Sequence, residues 1–571
     1  MTFFSSSFAQ EIKTNDEKMQ WFQEAKLGIF IHWGIYSVNG IAESWSFFNN
    51  YISHDNYMKQ LQGFTARNYQ PNLWVEQIKN SGAKYAVITT KHHDGVALWD
   101  SKAPQSTTIA KNAKAQKDVL TPFVQSLKKS GLKTGLYFSL PDWSYPNYDI
   151  ETKTNKRYNL LQNPERWNLF TSYYQQQLKE LSTRYQPDLY WFDGDWEHNA
   201  QEWKSKETLQ QLQQHNPNII INSRLNHFGD YETPEQGIPV IAPASKYWEL
   251  CYTMNDSWGY QPYDLHYKSP NMIVRTLADV VAMGGNLLLD IGPKEDGTIP
   301  EQQIDILKNL GKWTSKYPNA IYKTKRGIET EYFKGKSAIS SDDKHLFLYL
   351  EEKKSVAYLY GIQSKISQVR TADINHEKIP FTQDNLGNVQ LDISSINFDP
   401  DVTVLDLEFH EPLSLFSTLP KTTTALSRIL QNKNTQQAVY QLAYELDKGN
   451  NLLDNSGISA DGNIAHLPKF ENENSETRQW ISKNAEALTN TQKGLPSGHY
   501  SGMSALSQDK QTLYLFVEGN PTGPIAIKGL KNSISRIRIV GEGTMLSHDI
   551  FNKMYWSPIP GIVYIDIPKD R

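Results

Sequence analysis

Two kinds of side chain in this sequence could do chemistry on a neutral, hydroxyl-rich molecule. Carboxylates can act as nucleophile or proton donor, and histidines can hold hydroxyl groups. Asp193 ends the apolar run of DLYWFDGDWEH (188–198), after Trp191 and Phe192 and before Gly194. A carboxylate there is a candidate nucleophile if nearby donors keep it ionised. Asp195 and Glu197 follow at once and read as loop carboxylates, one of them a competitor. Glu232 and Glu235 lie in NHFGDYETPEQGIP (226–239), a Gly- and Pro-rich loop from which a second catalytic carboxylate can come. His32 closes GIFIH, and His92 and His93 stand in TTKHHDG (89–95). Adjacent residues on a strand point to opposite faces. Both histidines therefore reach one pocket only if the strand has ended, and Asp94-Gly95 is a turn signal. Neighbouring residues rarely chelate one ion, and no H-x-E-x-H or Cys pair accompanies them, so hydroxyl binding ranks above metal. WELCYTMNDSWGYQPYD (248–264) reads as an aromatic-rich loop whose Trp248 and Trp258 can wall a sugar subsite.

These residues need a scaffold, and the first 320 residues supply its pattern. Strand-like runs fall at 27–33, 85–91, 134–140, 188–193, 218–223 and 286–292, with helical patterns at about 74–82, 117–131, 164–185, 204–214, 271–283 and 301–316. Continuous apolar strands separated by helices predict a parallel sheet covered on both sides. No G-x-G-x-x-G follows the first strand, which argues against a dinucleotide fold. His32, His92, His93, Tyr137 and Asp193 all fall at strand ends, where a (β/α)8-like barrel builds its active site.

After about residue 325 short alternating strands predict a β-sandwich. The expected division is 1–15, a signal remnant or disordered start; 16–325, the barrel; 326–412, a sandwich; 413–492, a partly helical linker or degenerate repeat; and 493–571, a second sandwich. The fold class is thus α/β, a barrel followed by β-sandwich domains. Residues 327–352 resemble 494–519 at an offset of 167, sharing Gly327/Gly494, Gly335/Gly502 and Ser337/Ser504. A fainter match joins 284–299 to 449–464, and together they read as a duplication of the last barrel unit and its sandwich, with the second copy degenerate.

Composition narrows the partners. A net charge of −4 argues against nucleic acid or an anionic membrane as the main partner. No apolar run approaches the ~20 residues of a membrane span. Cys251 is the sole cysteine, so no internal disulfide or Cys-rich zinc site exists. The opening MTFFSSSFAQ has a small-residue pattern before Gln10 but no basic or long apolar region, and reads as a truncated leader. A periplasmic or secreted location is the expectation.

The order and spacing of the motifs carry more than any one of them. H-W-G at strand 1, K-H-H-D-G after strand 2, Y-F-S at strand 3 and W-F-D-G after strand 4 are followed by W-E-x-C-x-x-x-N-D-S-W-G-Y and G-G-N-L-L-L-D-I-G-P. This series resembles the α-L-fucosidases of glycoside hydrolase family 29, closely over residues 16–330. The resemblance implies a retaining exo-hydrolase of α-linked L-fucose that uses no metal or organic cofactor and acts on fucosylated oligosaccharides or glycoconjugates. It implies Asp193 as nucleophile and Glu235 as acid/base, with Glu232 the second choice. It places His32, His92, His93, Tyr137 and either Glu43 or Trp45 on the fucose, with Trp191 and Trp258 also at the site and Arg224 beside the acid/base loop. Asp290 stands where many members have Asn. Retention implies carboxyl groups about 5–5.5 Å apart, against ~6.5–9.5 Å for inversion.

Overall fold

Strands that bury both faces read as unbroken apolar runs. Such runs form β1 (Leu27–Ile31), β2 (Tyr85–Lys91), β3 (Lys133–Ser139), β4 (Leu189–Asp193), β5 (Ile220–Ile221), β6 (Glu249–Thr253) and β7 (Asn286–Ile291) in the computed structural model, which describes residues 13–419, 424–454, 456–553 and 560–568. The leader read in residues 1–10 lies outside them. The seven strands form one parallel ladder in the order β6-β7-β1-β2-β3-β4-β5. Single parallel bridges close the remaining gap. Asn222 pairs with Tyr231, Glu232 with Trp248 and Glu235 with Cys251. Residues 231–235 therefore act as the eighth stave of a (β/α)8-like barrel.

One expectation changes here. WELCYT was read as the start of an aromatic loop, yet Glu249–Thr253 is a fully buried strand. Glu232 and Glu235 lie outside the strands, as a loop reading expects, but each makes a single parallel bridge on the stave that closes the barrel. Neither segment alternates, and no helix stands between β5 and residue 231 or between residue 235 and β6. The period-2 and helix-spacing signals were both missing.

Helices α1 (Asn15–Ala25), α2 (Pro71–Asn80), α3 (Leu120–Lys129), α4 (Pro164–Tyr185), α5 (Ser205–His215), α6 (Pro270–Ala282) and α7 (Glu301–Lys316) accompany the strands. α1 begins with a capping box between Thr14 and Glu17. Its Met19, Phe22 and Ala25 join Phe30, Tyr85, Val87, Tyr137, Leu189, Trp191 and Tyr231 in one interior cluster. That interior is tight: a Cβ on Gly28 would lie 2.4 Å from the Tyr85 ring.

The chain divides into two compact units, and the second draws on three stretches: 237–242, 274–283 and 324–571. In that unit a five-stranded antiparallel sheet, led by Thr324–Arg326, Lys336–Ser340 and His345–Leu350, shares an apolar cluster with a three-stranded sheet around Val389–Asp392. Three later strands repeat the first three with their registers shifted by 167. Thr324 pairs with Ser340 as Thr491 does with Ser507, and Ile339 with Leu346 as Leu506 does with Leu513. Ser337 Oγ accepts from Ile328 N at 3.0 Å, and Ser504 Oγ from Leu495 N at 2.9 Å. Lys353 pairs with Asn520, its own counterpart, and Thr330 Oγ1 meets Ser497 Oγ at 2.8 Å. Contacts between equivalent residues are the mark of a local two-fold axis. Upstream, helix Ser475–Lys483 answers α7, whereas residues 452–454, which match part of β7, are turns.

Candidate active site

All barrel strands are parallel, so their carboxyl ends share one rim. β4 delivers Asp193 to it. Asp193 Oδ2 accepts a hydrogen bond from Tyr137 OH at 2.9 Å and lies 3.6 Å from His93 Nε2. Its Oδ1 accepts from Arg224 Nη1 at 3.0 Å. The second terminal nitrogen of the same guanidinium donates to Glu235 Oε2 at 2.8 Å. One planar fork thus holds carboxylates from two different staves, a geometry that lysine cannot reproduce. Arg224 is itself fixed by Thr233 Oγ1 at 3.0 Å and by the Trp191 ring, 4.6 Å below it.

Glu232 and Glu235 are three residues apart on an extended stave, which turns them to opposite sides. Glu235 faces Arg224 while Glu232 is exposed. Among the two candidates only Glu235 joins Asp193.

β2 ends at Lys91, so His92 and His93 both enter the site, with ring centroids 4.3 Å apart. His92 Nδ1 meets Ser44 Oγ at 2.7 Å and its ring lies parallel to Tyr137. His93 Nδ1 meets Ser139 Oγ at 2.5 Å. His32, at the end of β1, meets Asp290 Oδ1 at 2.7 Å through Nδ1 and packs against Trp258 at 5.0 Å. Burial lowers all three histidines, His93 to about 3. They stand as neutral imidazoles whose free ring nitrogens suit hydroxyl groups. Burial raises the Asp290 carboxyl above its ordinary range, and the nearby Glu43 adds to the rise.

Glu43 and Trp45 both reach the site. Glu43 is buried, its Oε2 has no hydrogen-bond partner among the described groups, and burial pushes its carboxyl up to about 7, with Glu235 adding to the rise. Trp45 stands edge-on to His93 at 5.5 Å.

Other candidates support the site from beneath. Trp191 is buried and its Nε1 donates to Glu249 at 3.0 Å, which makes it the floor under Arg224. Trp248 is buried against Gly285, where a Cβ would lie 2.4 Å from the indole. Asp195 accepts from Asn226 N at 2.7 Å, and Glu197 from Trp143 Nε1 at 3.1 Å and from Tyr148 OH. Both are turn braces. Three residues escaped the sequence reading. Ser44 and Ser139 position the histidine pair, and small hydroxyls give no periodic signal. Trp196 stands edge-on to His93 at 6.0 Å and is 55% exposed. Its position three residues past Asp193 was the available clue. Among the described residues no group of three His, Cys, Asp or Glu side chains could hold a metal ion.

Two carboxylates on one arginine, ringed by neutral imidazoles and indoles, can break a glycosidic bond by displacement at the anomeric carbon. Comparison with known proteins points the same way. The family model described as alpha-L-fucosidase matches residues 4–319. The alpha-L-fucosidase of Dictyostelium discoideum is 32% identical over 334 residues, 53% of this chain and 71% of that protein. Alpha-L-fucosidase isoenzyme 1 from Paenibacillus thiaminolyticus is 28% identical, with a TM-score of 0.64 over 70% of this chain and 100% of that one. A Bacteroides thetaiotaomicron fucosidase of glycoside hydrolase family 29, solved as a trapped covalent intermediate, has a TM-score of 0.62 at 26% identity over 70% and 98%. The barrel, the order of its motifs and the family model over 4–319 agree, and the chain belongs to the alpha-L-fucosidase family.

Proposed function

We propose that this protein is a retaining exo-α-L-fucosidase that removes terminal α-linked L-fucose from glycans. The observation that carries the proposal is the Asp193–Arg224–Glu235 bridge at the barrel rim. Asp193, bonded on both oxygens, is held in one orientation for attack on the anomeric carbon. Glu235 gives its proton to the departing glycosidic oxygen as that bond breaks, leaving fucose as an ester on Asp193. Water then attacks the same carbon, Glu235 takes the water's proton, and the two inversions leave α-L-fucose. L-fucose presents three free hydroxyls and a C5 methyl. His32, His92, His93 and the orphaned Glu43 oxygen suit the hydroxyls, and Trp45 and Trp258 offer apolar surface.

Azide separates the two carboxylate roles by stereochemistry. With azide and an activated aryl fucoside, Asp193→Gly is expected to form β-L-fucosyl azide, since one displacement inverts. Glu235→Gly is expected to form α-L-fucosyl azide, since the ester on Asp193 still forms first. NMR of the products reads both. The same anomer from both variants would sink the assignment.

A further inference from the structure

We infer that Trp196 is the platform for the leaving group, stacking on the apolar face of the pyranose from which fucose is cut. The inference rests on the fucosidase reading of the site and extends it to the second sugar.

Trp196 occupies the short 3-10 turn Asp195–Glu197, which follows Asp193 after one glycine. The turn is pinned on every side. Gly194 has φ 88°, and a Cβ there would lie 2.2 Å from Pro141. Asp195 accepts through its backbone oxygen from Trp203 Nε1 at 3.0 Å and through Oδ2 from Asn226 N. Glu197 is spent on Trp143 and Tyr148. Both neighbours of Trp196 therefore point into the protein, and its indole is the member of the turn left in water. Its edge meets His93, whose Nε2 lies 3.6 Å from Asp193. Its plane is parallel to Trp45, 15° apart with centroids at 6.4 Å. The exposed face thus begins one ring away from the candidate nucleophile.

An exposed tryptophan forgoes the burial that its size would otherwise bring. Here the backbone and flanking side chains hold it out. An indole fixed in this way loses little freedom on binding and offers a wide flat face. The carboxylates around it disfavour an anionic partner, so a neutral sugar with a C–H-lined face is the chemical class that fits.

The test compares substrates with and without a leaving sugar. α-L-Fucosyl fluoride has none, while fucosyl-galactose and fucosyl-N-acetylglucosamine each carry one. In Trp196→Ala the ratio of kcat/KM on either disaccharide to kcat/KM on the fluoride is expected to fall about tenfold or more. Trp196→Tyr is expected to recover most of that ratio, because a flat ring remains. A ratio equal to that of the wild type for both disaccharides would overturn the inference, leaving Trp196 a purely structural residue. Wild-type protein that turns over neither the fluoride nor the disaccharides would instead overturn the fucosidase reading, and this inference with it.

Discussion

Asp290 and Glu43 are carboxyl groups that the barrel keeps from behaving as carboxylates. Burial raises the Asp290 carboxyl well above its ordinary range, and its Oδ1 lies 2.7 Å from His32 Nδ1. Glu43 makes a pH prediction. Its folded pKa is about 7, raised by burial, against about 4.3 when unfolded. Between these values the folded chain keeps a proton that the unfolded chain has released. Its contribution to stability is therefore full below about pH 4.3 and is lost as pH rises through 7. Glu43→Gln cannot ionise. The fall in Tm from pH 5 to pH 8 should be smaller in the variant by a few °C, at about 2–4 °C per kcal/mol. Identical slopes in a calorimetric series would refute this. The nucleophile candidate and the histidines were legible because each stands at the carboxyl end of a strand-like run, and Tyr137 because it lies within one. Ser44, Ser139 and Trp196 were not, because their roles come from what packs beside them.

Elements were legible where a period was long enough to see. All six helical patterns read from spacing correspond to helices α2 to α7. The two-residue β5, the buried β6 and the stave at 231–235 were harder. Each is too short or too uniformly apolar to alternate, and their pairing is set by neighbours distant in sequence. The repeated hairpins offer a test at this scale. Gly327 and Gly494 each press on a backbone oxygen, that of Ser337 and Ser504, with no room for a methyl group: a Cβ would lie 2.0 and 2.2 Å away. Alanine at either position is expected to cost about 1–3 kcal/mol, as overpacking does elsewhere. Matching losses in denaturant midpoints would mark the two turns as mechanical equivalents. An unaffected Gly494→Ala beside a damaged Gly327→Ala would show that the second turn has relaxed.

At the scale of the whole molecule, the second unit is held by charges brought from far apart in the chain. Asp279, in α6, is buried between Lys528 Nζ at 3.1 Å and Lys336 Nζ at 3.6 Å. Lys528 also donates to the Pro239 carbonyl at 3.1 Å. Lys528→Met leaves Asp279 with the longer contact alone, and a loss of about 3 kcal/mol is expected from a buried charge so exposed. Adding Asp279→Leu should return much of it, since the orphaned charge is gone. A single variant that melts with the wild type would refute the role. The interleaving of segments 237–242 and 274–283 with 324–571 has a further consequence, for the order in which a ribosome delivers the chain. Lys528 emerges 249 residues after Asp279. At about 5–20 residues per second, α6 waits roughly 10–50 s for its partner. During that interval Asp279 can meet Lys336 but not Lys528, and the last repeat to be translated supplies its second positive charge.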